Sequence, residues 1–350
     1  MNKIEEQILE LALKHTSSVE VIYEEGESRS VSFENNKLKY VTTKSIRGIG
    51  LRVIKDGRIG FSSTTDFRKP EKLVANAIES AKFGQIAAFD FPSKNNFPKV
   101  AVLDQRVIDY PINKCVDIGK EAIGKALTVN SSYECSVGFG KGYGMRRLIN
   151  SKGLDISIAS TSFGIGIEIL EVKGQSILCI GEGEGSKGLA TDLNKHVDKA
   201  LRGLKLAQKE MKLKTGAYPV VVTAKAIGNL LATFETGCNG KLVQKGASPL
   251  TNRLGEKIID ERVSIYDDAT IDMADSSYPW DSEGIPSQRT SLFEKGILRN
   301  YLFDLQTAGI MKTKSTGNGN RGFSSQPSPG NSNITVDFVF IIPAVCKSKR

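Results

Sequence analysis

Histidine is nearly absent: the 350-residue chain has two, His15 and His196. Zinc hydrolases commonly place two histidines four residues apart on one helix face. Here the two fall in different predicted helices, and neither has a histidine neighbour. His196 follows Asp192 by four positions, a spacing that reads as an ion pair on a helix surface and not as a ligand set. Cysteine is also sparse. Cys115, Cys135, Cys179, Cys238 and Cys346 are odd in number and form no CxxC pair, which suits free thiols in a reducing cytosol better than a disulfide framework. Cys238, in TGCNG, reads as a small residue at a helix exit. No G-x-S-x-G elbow and no Walker A pattern is present. The late apolar run Phe338–Cys346 is broken by Pro343 and falls short of the ~20 residues of a spanning helix. The N-terminal stretch MNKIEEQILELALKH is interrupted by Glu5, Glu6 and Glu10, so it lacks the apolar core of a signal peptide. The expectation is a soluble, cytoplasmic protein with no membrane contact.

What the chain does hold points to a β-rich architecture. Thirty-four glycines imply many tight turns. The formal charge of +9 is scattered, not gathered into a stripe, so no direct nucleic-acid binding is expected. Apolar residues at helical spacing predict a first helix ending near His15. Alternating runs VEVIYEE, SRSVSFENN and KLKYVTTK read as separate strands. Asp56-Gly57 lies between two further alternating runs and predicts a tight hairpin. Pro70 opens a helix over PEKLVANAIESAK that Gly84 closes. The polar, proline-bearing stretch Phe89–Lys99 reads as a linker. A helix over Ile112–Leu127 precedes a meander of three or four long strands between Tyr133 and Gly181. Thr191 and Asp192 cap a helix running to about Met211. Tyr218–Thr223 reads as a buried strand, Ala224–Phe234 as a helix behind it, and Gln288–Phe303 as another hairpin. From Thr313 to Asn333 the chain reads as a long loop.

Three constellations invite chemistry. Gly183-Glu-Gly185-Ser-Lys-Gly188 matches G-x-G-x-x-G, but Glu182 and Glu184 would stand where a pyrophosphate belongs, and the preceding strands form a meander and not a βαβ unit. A flexible connection is the better reading. Asp281 and Glu283 share one side of an extended segment, and Gly284 with Pro286 suggests a fixed turn. That favours a structural carboxylate pair over an acid–base pair. In Ser315–Arg321 (STGNGNR), Gly317 and Gly319 free the backbone, and Arg321 is suited to a bidentate grip on a carboxylate.

Two segments, Ser45–Ser63 (SIRGIGLRVIKDGRIGFSS) and Trp280–Arg321 (WDSEGIPSQRTSLFEKGILRNYLFDLQTAGIMKTKSTGNGNR), lie more than two hundred residues apart. Together they resemble the TldD/PmbA family, the peptidases and peptidase-like subunits also called modulators of DNA gyrase. The HExxxH zinc helix of the catalytic branch would fall near Ala224–Glu235, where AKAIGNLLATFE has no histidine. The resemblance is therefore to the metal-free PmbA/TldE branch. It implies an α+β fold: an N-terminal domain of hairpins and helices over 1–100, a central strand meander with helices over 101–210, and a larger antiparallel β domain with flanking helices over 211–350. It also implies no catalytic or metal-binding residue and no cofactor in this chain, with zinc carried by a TldD-like partner. Gly317, Asn318, Arg321, Asp281 and Glu283 become candidate contacts to an unfolded peptide held by strand addition. Homo- or hetero-oligomers follow from the same likeness. The alternatives are a non-proteolytic modulator of gyrase or an antitoxin, and an autonomous peptidase. The likeness stops after Asn333, which implies a shortened C-terminal part and an open apolar edge at Val336–Ile342.

Overall fold

In a computed structural model, residues 4–338 are described, save 209–211, 219 and 221. Helix α1 (Ile4–Leu13) buries Ile8 and Ala12 on one face. Strands β1 (Ser18–Glu34) and β2 (Lys37–Lys55) form a long hairpin. Asn35 and Asn36 turn it at φ of 48° and 67°, a conformation that Asn tolerates better than most residues. The runs read as three short strands are thus parts of two long ones. Gly26 does not interrupt β1, because it sits in register with Gly144 of a neighbouring strand. Asp56-Gly57 makes the expected hairpin to β3 (Arg58–Thr64). Helices α2 (Pro70–Ala81), α3 (Gln105–Asp109) and α4 (Ile112–Val129) follow. Then come β4 (Glu134–Asn150), β5 (Asp155–Lys173) and β6 (Ser176–Ser186). All six strands join one antiparallel sheet in the order β3-β2-β1-β4-β5-β6. The N-terminal and central segments share it through the β1–β4 pairing, from Glu20↔Asn150 to Phe33↔Val137.

The sheet has two unlike faces because successive side chains alternate. Odd-numbered β1 residues face helices. Val19, Val21 and Tyr23 pack with Leu73 and Val74 of α2, while Val31 and Phe33 join a larger core with α4 and with α5 (Asn194–Ala207). Even-numbered residues Glu20, Ile22 and Glu24 face the C-terminal part of the chain. That part opens with α6 (Ala224–Gly237) and α7 (Gly240–Gln244). It continues through β7 (Val263–Asp268), β8 (Arg289–Glu294), β9 (Ile297–Leu298) and α8 (Leu305–Ile310). Short strands β10 (Gly319–Asn320) and β11 (Ser328–Pro329) precede β12 (Ile334–Phe338). A four-stranded sheet, β12-β7-β8-β9, closes over its own core of Phe293, Leu298, Tyr301 and Leu302. The α+β class holds.

Four expectations need correction. Gly183 and Gly185 are no flexible connection: both lie in edge strand β6, paired with Gly166 and Gly164. The stretch 89–99 is no free linker. Phe91 is buried, Asn150 Nδ2 donates to Pro92 O at 2.8 Å, and just upstream Ala88 N donates to Gln306 Oε1. Within 218–223, the described residues form no strand, and Tyr218 and Val220 are 50% and 77% exposed; Pro219 and Val221 lie outside the described residues. His196 is buried instead of sitting on the surface, and it faces Glu184, while Asp192 accepts from Lys195 N. Helix α5 ends at Ala207, and Met211 lies outside the described residues, as do Cys346 and 339–342 of the expected open edge. Among the described residues no helix is long and apolar enough to cross a membrane.

Candidate functional site

The two motif-bearing segments, distant in sequence, meet on the even face of the long sheet. The turn at Asp281 is built by its own side chain: Oδ1 accepts from Glu283 N at 3.0 Å and Ile285 N at 2.9 Å. Its other oxygen accepts from Gly319 N at 2.8 Å, and Ser282 N donates to Gly319 O at 2.9 Å. A Cβ on Gly319 would stand 2.5 Å from Glu283 Oε2. Gly317, at φ 74°, would bring a Cβ to 2.5 Å from Pro286 O. The STGNGNR loop therefore lies directly on the DSEGIP turn, and both glycines are there for close approach. Asn318 fixes the loop's far side. Its Nδ2 donates to Asp267 Oδ2 at 2.7 Å and to Gly330 O at 3.0 Å.

Beneath the turn runs a buried ionic chain. Arg52 of β2 donates through Nη1 to Glu283 Oε1 at 2.7 Å and through Nε to Glu20 Oε1 at 3.0 Å. Its guanidinium carbon lies 4.9 and 5.1 Å from the ring centres of Phe89 and Phe91. Arg321 pairs with Glu20 and donates from Nε to Ser282 O at 3.1 Å. The remaining oxygen of Glu283 accepts from Leu305 N at the start of α8, at 2.7 Å. Burial, then the neighbouring Glu283 charge, raises the Asp281 carboxyl above the usual carboxylate range. Burial does the same to Asp267, and burial with Glu283 to Asp304. Closer to solvent, Arg146 of β4 holds Glu24 at 2.6 Å and donates to Ser282 Oγ at 2.8 Å, while Glu24 accepts from Phe323 N. Gly48 and Gly50 of β2 make room for Phe323. Cβ atoms there would fall 2.2 Å from its ring and from its carbonyl oxygen respectively.

Above this frame a cavity of about 430 Å³ opens between the sheet and the C-terminal part. Its floor includes Gly26, Gly144 and Ser160, and one wall carries Tyr278, Trp280 and Asp281. Of the five residues singled out as peptide contacts, Asp281 alone reaches this cavity. Glu283 and Arg321 lie in the ionic chain, and Gly317 and Asn318 shape the loop. The guanidinium of Arg321, read as suited to a ligand's carboxylate, holds that of Glu20. Sequence reasoning missed Glu20, Arg52, Arg146 and Lys187. Glu20 and Arg52 sit at alternating positions of strands, where a charge looks like a solvent-facing residue.

The described residues do not fit a zinc ion. Helix α6, where the metal helix would fall, carries Lys225 and Glu235 as its ionisable side chains. Among the described residues no three His, Cys, Asp or Glu side chains converge. Nor is there a ready thiolate in the cores: burial pushes the Cys115 and Cys135 thiols up to about 11 and that of Cys238 to about 12, so all three stay protonated.

Residues 19–81 match the model for PmbA/TldA metallopeptidase domain 1, and residues 215–338 that for the PmbA/TldA metallopeptidase C-terminal domain. An uncharacterized protein of Methanocaldococcus jannaschii is 31% identical over 327 residues, covering 92% of this chain and 75% of that protein. A metalloprotease of the same organism is 25% identical over 307 residues, 84% of this chain and 67% of its own. The crystal structure of TldE from Thermococcus kodakarensis has the same fold, with a TM-score of 0.84 at 21% identity over 96% of this chain and 78% of that one. With both motif segments folded onto one site and matches at this coverage, the chain belongs to the PmbA/TldD metallopeptidase family.

Proposed function

We propose that this chain is the PmbA/TldE-like, non-catalytic subunit of a TldD/TldE-type metalloprotease, and that it holds an unfolded peptide in the cavity while a zinc-bearing TldD-like partner cleaves it. The observation that carries the reading is the floor of the cavity. Gly26 and Gly144 face each other in register, so a ligand's backbone can approach the sheet without meeting a side chain. A second feature supports strand addition. Strand β3 pairs with β2 over Ile49–Lys55, and among the described residues the outer edge of β2 from Lys37 to Gly48 carries no partner strand. That open edge ends beside Ile46, which lines the cavity. An extended peptide added to β2 would therefore run into the cleft, with main-chain hydrogen bonds giving affinity independent of sequence. Asp281 presents one edge of the wall, while Glu283, Arg321, Gly317 and Asn318 hold that wall in place.

No bond is broken by this chain in the proposal. Its part is to restrain an extended substrate, which reduces the entropy cost of presenting it to a catalytic centre elsewhere. The test is peptide cleavage read by mass spectrometry, for this chain alone and mixed with an HExxxH-bearing paralogue. Cleavage confined to the mixture and abolished by a chelator is the expected result. Cleavage by this chain alone would overturn the non-catalytic assignment. Silence in both, with the two proteins still co-purifying, would favour a modulator that acts by binding.

A further inference from the structure

Among the described residues, the cavity holds one cation that the frame does not use. Lys187 follows β6, and its backbone is pinned from both sides: its N–H donates to Met273 O at 2.9 Å, and its carbonyl accepts from Thr161 Oγ1 at 2.6 Å. The next two residues are fixed as well, Gly188 N by Ser186 Oγ and Leu189 N by Asp104 Oδ2. This ordered turn delivers the Lys187 side chain to the end of the cavity, where it continues into a shallower trough floored by Ser28, Gly142 and Ser162. Among the described residues its ammonium makes no hydrogen bond and no ion pair. Burial disfavours its charged form, Asp275 favours it without coming within bonding distance, and Arg146 opposes it. The contrast with its neighbours is sharp. Arg146 is held by Glu24, and Lys141 donates to the carbonyls of Val107, Ile108 and Tyr110.

We infer that Lys187 is a specificity residue of the cavity, taking one carboxylate of the bound peptide, either its C-terminal group or an acidic side chain. The inference rests on the peptide-binding reading above and names what that peptide must carry. A carboxylate suits the site better than a phosphate. Glu24 and Glu25 also line the cavity, so a single negative charge is matched by the one ammonium that is free among the described residues, whereas a dianion would face net repulsion. The geometry also sets a spacing. A peptide added to β2 lies one strand interval outside it, so the span to β5, against which Lys187 is pinned, is four strand intervals, or roughly 19 Å. An extended chain covers that distance in about six residues. The carboxylate therefore sits about six residues beyond the point where the peptide leaves the β2 edge.

The test uses fluorescence anisotropy on the full chain with labelled unfolded peptides in matched forms: free C-terminal carboxylate, C-terminal amide, and each with an internal Glu or Gln. Wild type is expected to bind carboxylate-bearing peptides roughly tenfold or more tightly than their neutral counterparts, as for a charge-assisted hydrogen bond. Lys187→Gln should erase that preference while keeping affinity for the neutral peptide, and Lys187→Arg should retain it. Whichever matched pair carries the preference identifies the source of the carboxylate. Equal binding of charged and neutral peptides, or a preference that survives Lys187→Gln, overturns this inference and leaves the peptide reading standing. Competition by inorganic phosphate as strong as by the carboxylate would overturn the choice of ligand. Failure of every peptide to bind would instead sink the peptide reading, and this inference with it.

Discussion

Arg321 shows how a residue that looks made for a ligand can be committed to its own fold. Its side chain is fully buried, pairs with Glu20 and donates to Ser282 O. Removing it leaves Glu20 buried with half of its compensation, and breaking a buried pair from one side costs about 3–5 kcal/mol. Arg321→Ala should therefore lower stability by about 3 kcal/mol, read from urea unfolding, with Arg321→Lys recovering little because one ammonium cannot reproduce the planar fork. A variant that unfolds like wild type but loses peptide affinity would return Arg321 to the ligand. Neighbouring Asp281 is similarly spent, accepting three backbone hydrogen bonds while forming part of the cavity wall. No local pattern announces such roles. In VEVIYEE the alternation assigns Glu20 to the face opposite Val19 and Val21, and only the arrival of Arg321 shows that this face is interior too.

At the scale of the strand, glycine divides into two kinds. Gly48 and Gly50 are required by the approach of Phe323, whereas a Cβ on Gly138 meets nothing within 4 Å. Gly48→Ala would strike the Phe323 ring and Gly50→Ala its carbonyl oxygen, each costing about 1–3 kcal/mol as overpacking does. Trimming the ring with Phe323→Leu should relieve the first and leave the second, a coupling that a double-mutant cycle measures. Gly138→Ala should stay within about 0.5 kcal/mol of wild type. Equal costs at all three positions would show that strand propensity, not docking, sets them. Elements whose signals are local were legible in the sequence: Pro70 at the start of α2, Asp56-Gly57 before β3, and the apolar stripe of α4. The strap at 89–99 was not, because its Pro and Asn residues read as a linker while Asn150, which holds Pro92, and Gln306, which holds Ala88 just upstream, are remote. The glycines of β6 misled for a related reason: G-x-G-x-x-G describes spacing, and pairing with β5 decides what the spacing means.

Across the whole molecule, the buried carboxyls give stability a pH dependence with a definite sign. Burial raises Asp304, Asp281 and Asp267, so the folded protein holds these protons more tightly than the unfolded chain. Their contribution is full below the ordinary carboxylate range and is lost as pH climbs through the raised values. Asp304 isolates the effect, since its side chain caps α8 by accepting from Thr307 N at 2.7 Å and Asn caps as well as Asp. The melting temperature of Asp304→Asn should gain on wild type as pH rises from about 4 to about 7. A gap that is constant over that range would mean that Asp304 does not titrate there. The fold class and the family were readable from two short segments, but their meeting was not, because contact between them is set by the even face of a sheet shared by the N-terminal and central segments, on which the C-terminal part docks.

The ion pair of Glu20 with Arg321 spans 301 positions, and this has a consequence for synthesis. A ribosome adding 5–20 residues per second needs about 15–60 s to travel between them. During that interval the nascent chain can form β1 and β2, but Glu20 and Arg52 have neither Glu283 nor Arg321 to complete their cluster. The hairpin must wait with an exposed Glu20–Arg52 pair that lacks its later partners and with an open edge along β2, the combination that a holdase would shield until Arg321 arrives.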